Sequence, residues 1–253
     1  MDKLIFNAAN LVAQQAVNRQ MLTNELANLS TTGFKTSFAA TLQSVKVEGP
    51  GFDTRFQSRI VERDFIDLKA GSMMVTGKPL DVAMQEATVM GVQAPNGELA
   101  FTRRGDLRVN ASGVLETGAG EIVRGEDGPI TMPLGSEFTI LNDGSIYARN
   151  SAQPGPQPGE QIGKLMLRDA SAIQLRRRQD GLYAVDGKPP GTDIPVTEKV
   201  PSVVSQTLEG SNVSAIESMT KMIDHARTFE SQIRIIKEAK DLDGSGATMI
   251  RQS

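Results

Sequence analysis

Residues 1–30, MDKLIFNAANLVAQQAVNRQMLTNELANLS, decide how the rest of the chain is read. Leu4, Ala8, Leu11, Val12, Ala16, Leu22, Leu26 and Leu29 recur at helical spacing and predict a helix from about residue 3 to 30. The other faces of that helix are unusual. They carry eight amides (Asn7, Asn10, Gln14, Gln15, Asn18, Gln20, Asn24, Asn28) and only four charges (Asp2, Lys3, Arg19, Glu25). A helix with one face in water normally charges that face. Amides suit a helix that touches protein all round, because they hydrogen-bond without the desolvation cost of a charge. The pattern points to assembly rather than catalysis. Ser30-Thr31-Thr32-Gly33 closes the helix, with Gly33 free to take a positive φ.

The other end of the chain offers a partner. Ser214 and Glu217 have capping-box spacing and predict a helix start there. Ile216, Met219, Ile223, Ala226 and Ile233 follow a–d spacing, and Met222, Phe229 and Ile236 widen the stripe. The helix is expected to fade over Asp241–Gly246. An antiparallel pair of terminal helices follows, with neighbouring subunits on the remaining faces. Isolated helices of this kind are marginal in water, so the ends are expected to order on assembly.

Between the ends the period changes. Residues 34–77 read as an extended region with short strands. From 78 to 190 short β-runs alternate with turns such as Pro95-Asn96-Gly97, Asn110-Ala111-Ser112-Gly113 and Asn142-Asp143-Gly144. The runs are Leu80–Met84, Val89–Gln93, Ala100–Arg103, Leu107–Val109, Glu121–Val123, Glu137–Ile140, Ser145–Ala148, Lys164–Leu167 and Leu182–Val185. Segment 150–163 reads as a Pro/Gly-rich surface loop and 191–210 as a return connector. The expected fold is therefore α+β, a helical pair (1–33 and 211–253) with an inserted antiparallel all-β domain of barrel or sandwich type.

Composition narrows the function. At 253 residues the chain can bury a substantial core. A net charge of −3 provides no field for nucleic acid. The absence of cysteine excludes disulfides, zinc thiolates and thiol catalysis. No apolar run reaches the ~20 residues needed to span a membrane. Asn7, Asn10, Gln14 and Gln15 interrupt any cleavable signal core, so an exported chain is expected to keep its N-terminus.

Candidate chemistry is thin. His225, the single histidine, has no supporting triad motif. Asp241, Asp243, Ser245 and Gly246 occupy calcium-loop positions, but the twelfth is Gln252 rather than Glu. Arg103-Arg104 and Arg176-Arg177-Arg178 lack interleaved aromatics and read as solvated faces or contacts to a neighbouring subunit. Asp64 with Asp67, and Glu116 with Glu121, are carboxylate pairs with nothing to place them across one cleft. No cofactor, metal or catalytic residue is assigned. A β-rich binding module that dimerises through its helices is the competing class, but a dimer needs one apolar seam and leaves the opposite face charged.

Four blocks carry a resemblance. Ala27-Asn28-Leu29-Ser30-Thr31-Thr32-Gly33-Phe34-Lys35 resembles the N-terminal signature of bacterial flagellar rod and hook proteins. Lys78-Pro79-Leu80-Asp81-Val82-Ala83-Met84 resembles their next landmark. Phe101-Thr102-Arg103-Arg104-Gly105-Asp106-Leu107, with Asn110–Leu115 after it, resembles a third. Leu208-Glu209-Gly210-Ser211-Asn212-Val213 opens the last helix as in that family. Val45–Pro50, Gly128–Pro133 and Leu208–Gly210 lean to the proximal rod member, with the distal rod member as competitor. Glu86–Met90 departs from the family, whose members often carry Asp-Gly and an aromatic there.

The resemblance implies an axial structural protein of the flagellar basal body. It would be exported unfolded through the type III apparatus and assembled in the periplasm with other rod proteins and copies of itself. It implies no nucleic acid and no membrane insertion. The expected assembly residues are Leu4, Leu11, Gln15, Asn18, Leu22, Leu26, Asn28, Leu29, Gly33 and Phe34 at one end, and Ile216, Met219, Met222, Ile223, Phe229, Ile233 and Ile236 at the other. Phe34 is expected to plug an apolar pocket, and Asn28 to satisfy backbone groups at the helix end.

Overall fold

A computed structural model describes residues 15–16, 18–38, 42–46, 56–60, 65–133, 135–150 and 159–252. The chain divides into two compact units. One comprises Met1–Ala27, Ala39–Arg63 and Ser214–Ser253, the other Asn28–Phe38 and Asp64–Val213.

The second unit is antiparallel β. Its main sheet runs, neighbour to neighbour, through Ser37–Phe38, Phe65–Ile66, Leu175–Arg177, Tyr183–Val185, Leu99–Thr102, Thr88–Gln93, Ile122–Gly125, Leu115–Thr117 and Leu107–Val109. Gly128–Pro129 and Leu167–Asp169 pair off this path. The path does not close on itself, so the expected barrel is replaced by an open sheet with smaller ones beside it. Ser136–Ile140, Ser145–Asn150 and Glu160–Lys164 form a three-stranded sheet. Val203–Ser205 pairs Val82–Met84, and Thr207–Glu209 pairs Met73–Val75.

The centre lies where strands are covered on both faces. Val82, Ala83, Met84, Val89, Met90 and Val92 have no exposed surface. Their unbroken apolar runs, rather than alternation, are what two-sided burial requires. Gly91 sits in this stretch because a Cβ there would lie 2.8 Å from the Met166 sulfur, which fills the space instead.

Two expectations change. Segment 150–163 is not all loop, since Glu160–Lys164 pairs Ser145–Asn150; residues 151–158 lie outside the described residues. Lys164–Leu167 is not one strand. It spans the break between Glu160–Lys164 and Leu167–Asp169, where Leu165 N–H turns to the Gly144 carbonyl at 2.8 Å.

The other unit contains helical residues 15–16 and 18–27, the hairpin Leu42–Lys46 with Phe56–Ile60, and the long helix Ala215–Gln252. Residues 3–14 of the expected first helix, with Leu4 and Leu11, lie outside the described residues. Ser214 caps the long helix, its Oγ accepting the Glu217 N–H at 3.4 Å. The helix does not fade at Asp241–Gly246 but continues to Gln252. Gly244 has open space around it, and Ser245 Oγ donates to the Asp241 carbonyl at 2.9 Å inside the helix. With 241–246 helical, the twelve-residue calcium loop does not form. Among the described residues no helix is long and apolar enough to cross a membrane.

Candidate functional site: a buried clasp and an uncovered helix face

The clasp starts from a turn. Gly33 takes φ +68°, and its N–H donates to the Glu209 carbonyl at 2.7 Å. A Cβ there would lie 2.2 Å from the Arg103 carbonyl oxygen, so two separate requirements select glycine. The turn delivers Lys35 into the interior.

Lys35, Arg103 and Glu209 form a buried ionic triad, each side chain without exposed surface. Lys35 Nζ donates to Glu209 Oε1 at 2.6 Å and to the Lys69 carbonyl at 2.6 Å. The same Oε1 accepts the Gly71 N–H at 3.0 Å, and Oε2 accepts Arg103 Nε at 2.8 Å. Arg103 spends its remaining donors on backbone carbonyls of Met84 (2.7 Å), Thr88 (3.2 Å) and Glu86. Two cations against one carboxylate leave a surplus positive charge, which these carbonyl dipoles absorb. Arginine suits the post because its planar fork reaches several acceptors at once. Burial, and then the Arg103 charge, hold the Lys35 ammonium below its ordinary pKa, while Glu209 pulls it back up.

A second layer seals the triad. Tyr183 Oη donates to the Gly33 carbonyl at 3.2 Å, and burial pushes its phenol up to about 12. Asn212 accepts the Thr36 N–H on Oδ1 at 2.7 Å and donates to the Asp67 carbonyl from Nδ2 at 3.0 Å. Gly71 passes so close to Gly210 that a Cβ would lie 2.2 Å from its carbonyl oxygen.

All four blocks that carry the family resemblance meet here or beside it. Arg103 is therefore not a solvated or intersubunit arginine but a core residue. Arg104 beside it is partly exposed and pairs with Asp106 at 2.7 Å. In the Arg176–Arg178 run Arg176 is exposed, whereas Arg177 and Arg178 are half-buried and engaged within the chain. Arg177 covers the Phe34 ring at 4.4 Å and donates to the Lys35 carbonyl. Arg178 pairs with Glu98 and Asp180, each at 3.0 Å. Phe34 is half-buried, with the Arg177 guanidinium over its ring. Asn28 Oδ1 accepts the Thr31 hydroxyl at 3.0 Å.

The described carboxylates of the two pairs have local partners. Asp67 neighbours Lys69 at 3.7 Å, and Glu116 pairs with Arg108 at 2.7 Å. Glu121 accepts the Thr117 hydroxyl; Asp64 lies outside the described residues. Among the described residues no His, Cys, Asp or Glu cluster fits a metal ion.

The long helix presents two apolar lines. Ser218 is buried, and Met222, His225, Gln232 and Ile236 follow it at heptad-compatible spacing, half-buried. Ile216 (82%), Met219, Ile223 and Ile233 form a second, exposed line that no described residue covers. Phe229 is 41% exposed. At the other end Leu22 is buried, while Gln15, Asn18, Leu26 and Leu29 are half-buried. Gln15 Oε1 and Gln232 Oε1 are buried without a hydrogen-bond partner.

The chain matches two family models. Residues 204–249 match "Flagellar basal body rod FlgEFG protein C-terminal", and residues 89–148 match "Flagellar hook protein FlgE/F/G D1 domain". The first spans the strand holding Glu209 and most of the long helix. Along its whole length the chain is 37% identical to flagellar basal-body rod protein FlgF of Escherichia coli, with 100% of both chains covered. The chain belongs to the FlgF family of flagellar basal-body rod proteins. The FlgF of Salmonella typhimurium is equally similar, at 37% over 100% of both chains. A FlgG rod protein of Caulobacter vibrioides is 27% identical over 93% of each. This rod protein is accordingly a structural component of the flagellar basal body, and its family is not one of enzymes.

Lys35, Arg103 and Glu209 were missed as site residues although each lies inside a resemblance block. Arg103 directly follows the strand Leu99–Thr102, whose last three residues are all buried, so the interior continues past the strand's end.

Proposed function

We propose that this rod protein is a subunit of the proximal rod, with its terminal helical segments forming the axial layer of the hollow drive shaft and its β-body facing outward. The observation that carries the reading is the uncovered line Ile216, Met219, Ile223 and Ile233. Burying each large apolar side chain stabilises an assembly by about 1.5–3 kcal/mol, and a line of this length suits a helix with protein on more than one side. The amide-rich residues 1–30 supply the complementary surface: Leu4, Leu11, Gln15, Asn18, Leu22, Leu26, Asn28 and Leu29. Identity of 37% to two FlgF proteins, against 27% to a FlgG, supports the proximal over the distal position.

In this reading the chain leaves the cytoplasm through the flagellar type III export apparatus with its N-terminus uncleaved. It assembles in the periplasmic part of the rod with copies of itself and with other proximal and distal rod proteins. Deletion of the gene followed by electron microscopy of purified basal bodies tests it. The expected result is a rod truncated near its base and restored by the intact protein. Complete, functional basal bodies in the deletion strain overturn the reading.

A further inference from the structure

We infer that Asn96-Gly97 is a covalent modification site, an asparagine set by its neighbour for intramolecular deamidation, and that Glu98 and Arg178 hold it closed in the folded chain. The inference concerns the isolated chain and stands whether or not the rod position above is right.

The sequence supplies the chemistry. Asn96 is the one asparagine of the chain followed by glycine. Glycine has no Cβ to obstruct the approach of its own backbone nitrogen to the preceding side chain. In the first step the Gly97 nitrogen bonds to Asn96 Cγ. The Cγ–Nδ2 bond breaks, and the amide nitrogen leaves as ammonia, carrying the proton given up by Gly97. Water then opens the resulting five-membered imide at either carbonyl. One opening leaves aspartate at 96. The other leaves isoaspartate, whose side-chain carbon has become part of the backbone. The sum is asparagine plus water giving an acid plus ammonia, with no oxidant or reductant. Pro95, Asn96 and Gly97 are all exposed, so water reaches the site.

The fold withholds both reacting groups. Residues 94–98 close the hairpin between Thr88–Gln93 and Leu99–Thr102, with Gly97 at φ +84° as this loop type requires. The attacking nitrogen is engaged, since Gly97 N–H donates to the Ala94 carbonyl at 2.8 Å. The side chain under attack is engaged at both of its polar atoms. Asn96 Nδ2 donates to Glu98 Oε2 at 2.7 Å, and Oδ1 accepts the Glu98 N–H at 3.2 Å. Arg178 Nη1 donates to Glu98 Oε2 at 3.0 Å, and its Nη2 lies 3.5 Å from Asn96 Oδ1. The hydrogen bonds from Asn96 and Arg178 hold the Glu98 carboxyl below its ordinary pKa. At neutral pH it is therefore an acceptor that ties down the leaving amide, not an acid that releases it. Attack waits for a local opening of the hairpin tip.

Conversion undoes the contacts that delayed it. An acid at 96 has no Nδ2 donor and sets a second carboxylate against Glu98, in a groove that also holds Arg176, Arg178 and Asp180.

Peptide mass spectrometry of the full-length chain, incubated at mildly alkaline pH both folded and in guanidinium chloride, tests the inference. The readout is the deamidation rate at Asn96 in the fold relative to the rate in denaturant, which cancels any effect of a substitution on the intrinsic chemistry. Wild type is expected to convert about tenfold or more slowly when folded. Glu98→Ala is expected to narrow that gap by about threefold or more, with a thermal midpoint near wild type. Arg178→Gln gives the same readout if Glu98→Ala does not fold. No conversion at Asn96 in denaturant overturns the site itself. Equal wild-type rates in the fold and in denaturant would mean that the hairpin guards nothing. A gap as wide in folded Glu98→Ala as in wild type overturns the part assigned to Glu98 and Arg178.

Discussion

Lys35 Nζ and Glu209 Oε1 lie 2.6 Å apart, join positions 174 residues apart, and are both sealed from solvent. Each belongs to a segment that leads in sequence to a terminal helical region. The pair therefore ties together the two segments from which those regions continue. The triad is lopsided, and that decides which removal costs more. Glu209→Gln leaves two buried cations facing each other and is expected to destabilise the body by roughly 3–5 kcal/mol. Lys35→Met leaves Arg103 and Glu209 as a one-to-one pair and should cost less. Urea unfolding of the three proteins checks the ranking, and a larger loss for Lys35→Met contradicts it.

Alkaline pH acts on the clasp in two opposing ways. The Lys35 pKa is lower in the folded protein than the ordinary 10.5. Between its folded value and 10.5 the unfolded chain binds more protons, so this group's contribution makes stability rise with pH. Tyr183 is shifted upward, from 10.0 to about 12, by burial. Between those values the folded protein holds the extra proton, so stability falls as pH rises. In a Tyr147→Phe background, which leaves Tyr183 as the single tyrosine, phenolate absorbance should develop only near pH 12 or with unfolding. Ionisation near 10 in the folded protein would show that the phenol is not sealed.

Gly33 separates two reasons for a glycine. Its φ of +68° alone costs a side chain about 1–2 kcal/mol. Gly77 and Gly181 share the positive φ, at +71° and +84°, with open space around them. Gly77→Ala and Gly181→Ala are expected to lose about that much. Gly33→Ala should lose clearly more, because the new methyl meets the Arg103 carbonyl. Denaturation midpoints for the three variants decide whether close approach or backbone strain governs the site.

What could be read in the sequence follows from how local each signal is. Thr88–Gln93 and Leu99–Thr102 were legible because an apolar run, a Pro-Asn-Gly turn and a second run sit side by side. The long helix start was legible because Ser214 and Glu217 are three residues apart. Val203–Ser205 and Thr207–Glu209 were hidden within what reads as a return connector, and Glu160–Lys164 has a single β-branched residue. The clasp was out of reach because nothing near Lys35 announces a carboxylate 174 residues away. Helical period also could not say which apolar line of the last helix is covered. Met222 and Ile236 are half-buried, whereas Ile216, Met219 and Ile223 are exposed.

That distinction gives the most direct test of the helix face. Ile223 is 55% exposed, so Ile223→Asp removes little packing within the chain and should leave the body folded, with a thermal midpoint near wild type. Buried in an assembled helix layer, the new carboxylate would have no partner and would cost several kcal/mol per subunit. Rod incorporation and motility should therefore be lost, while Ile223→Leu keeps both. Met222→Asp, on the half-buried line, should instead lower the stability of the isolated chain as well. Motility at the wild-type level with Ile223→Asp, in a chain shown to be exported, would mean that the exposed line faces water in the rod and that another surface carries the assembly.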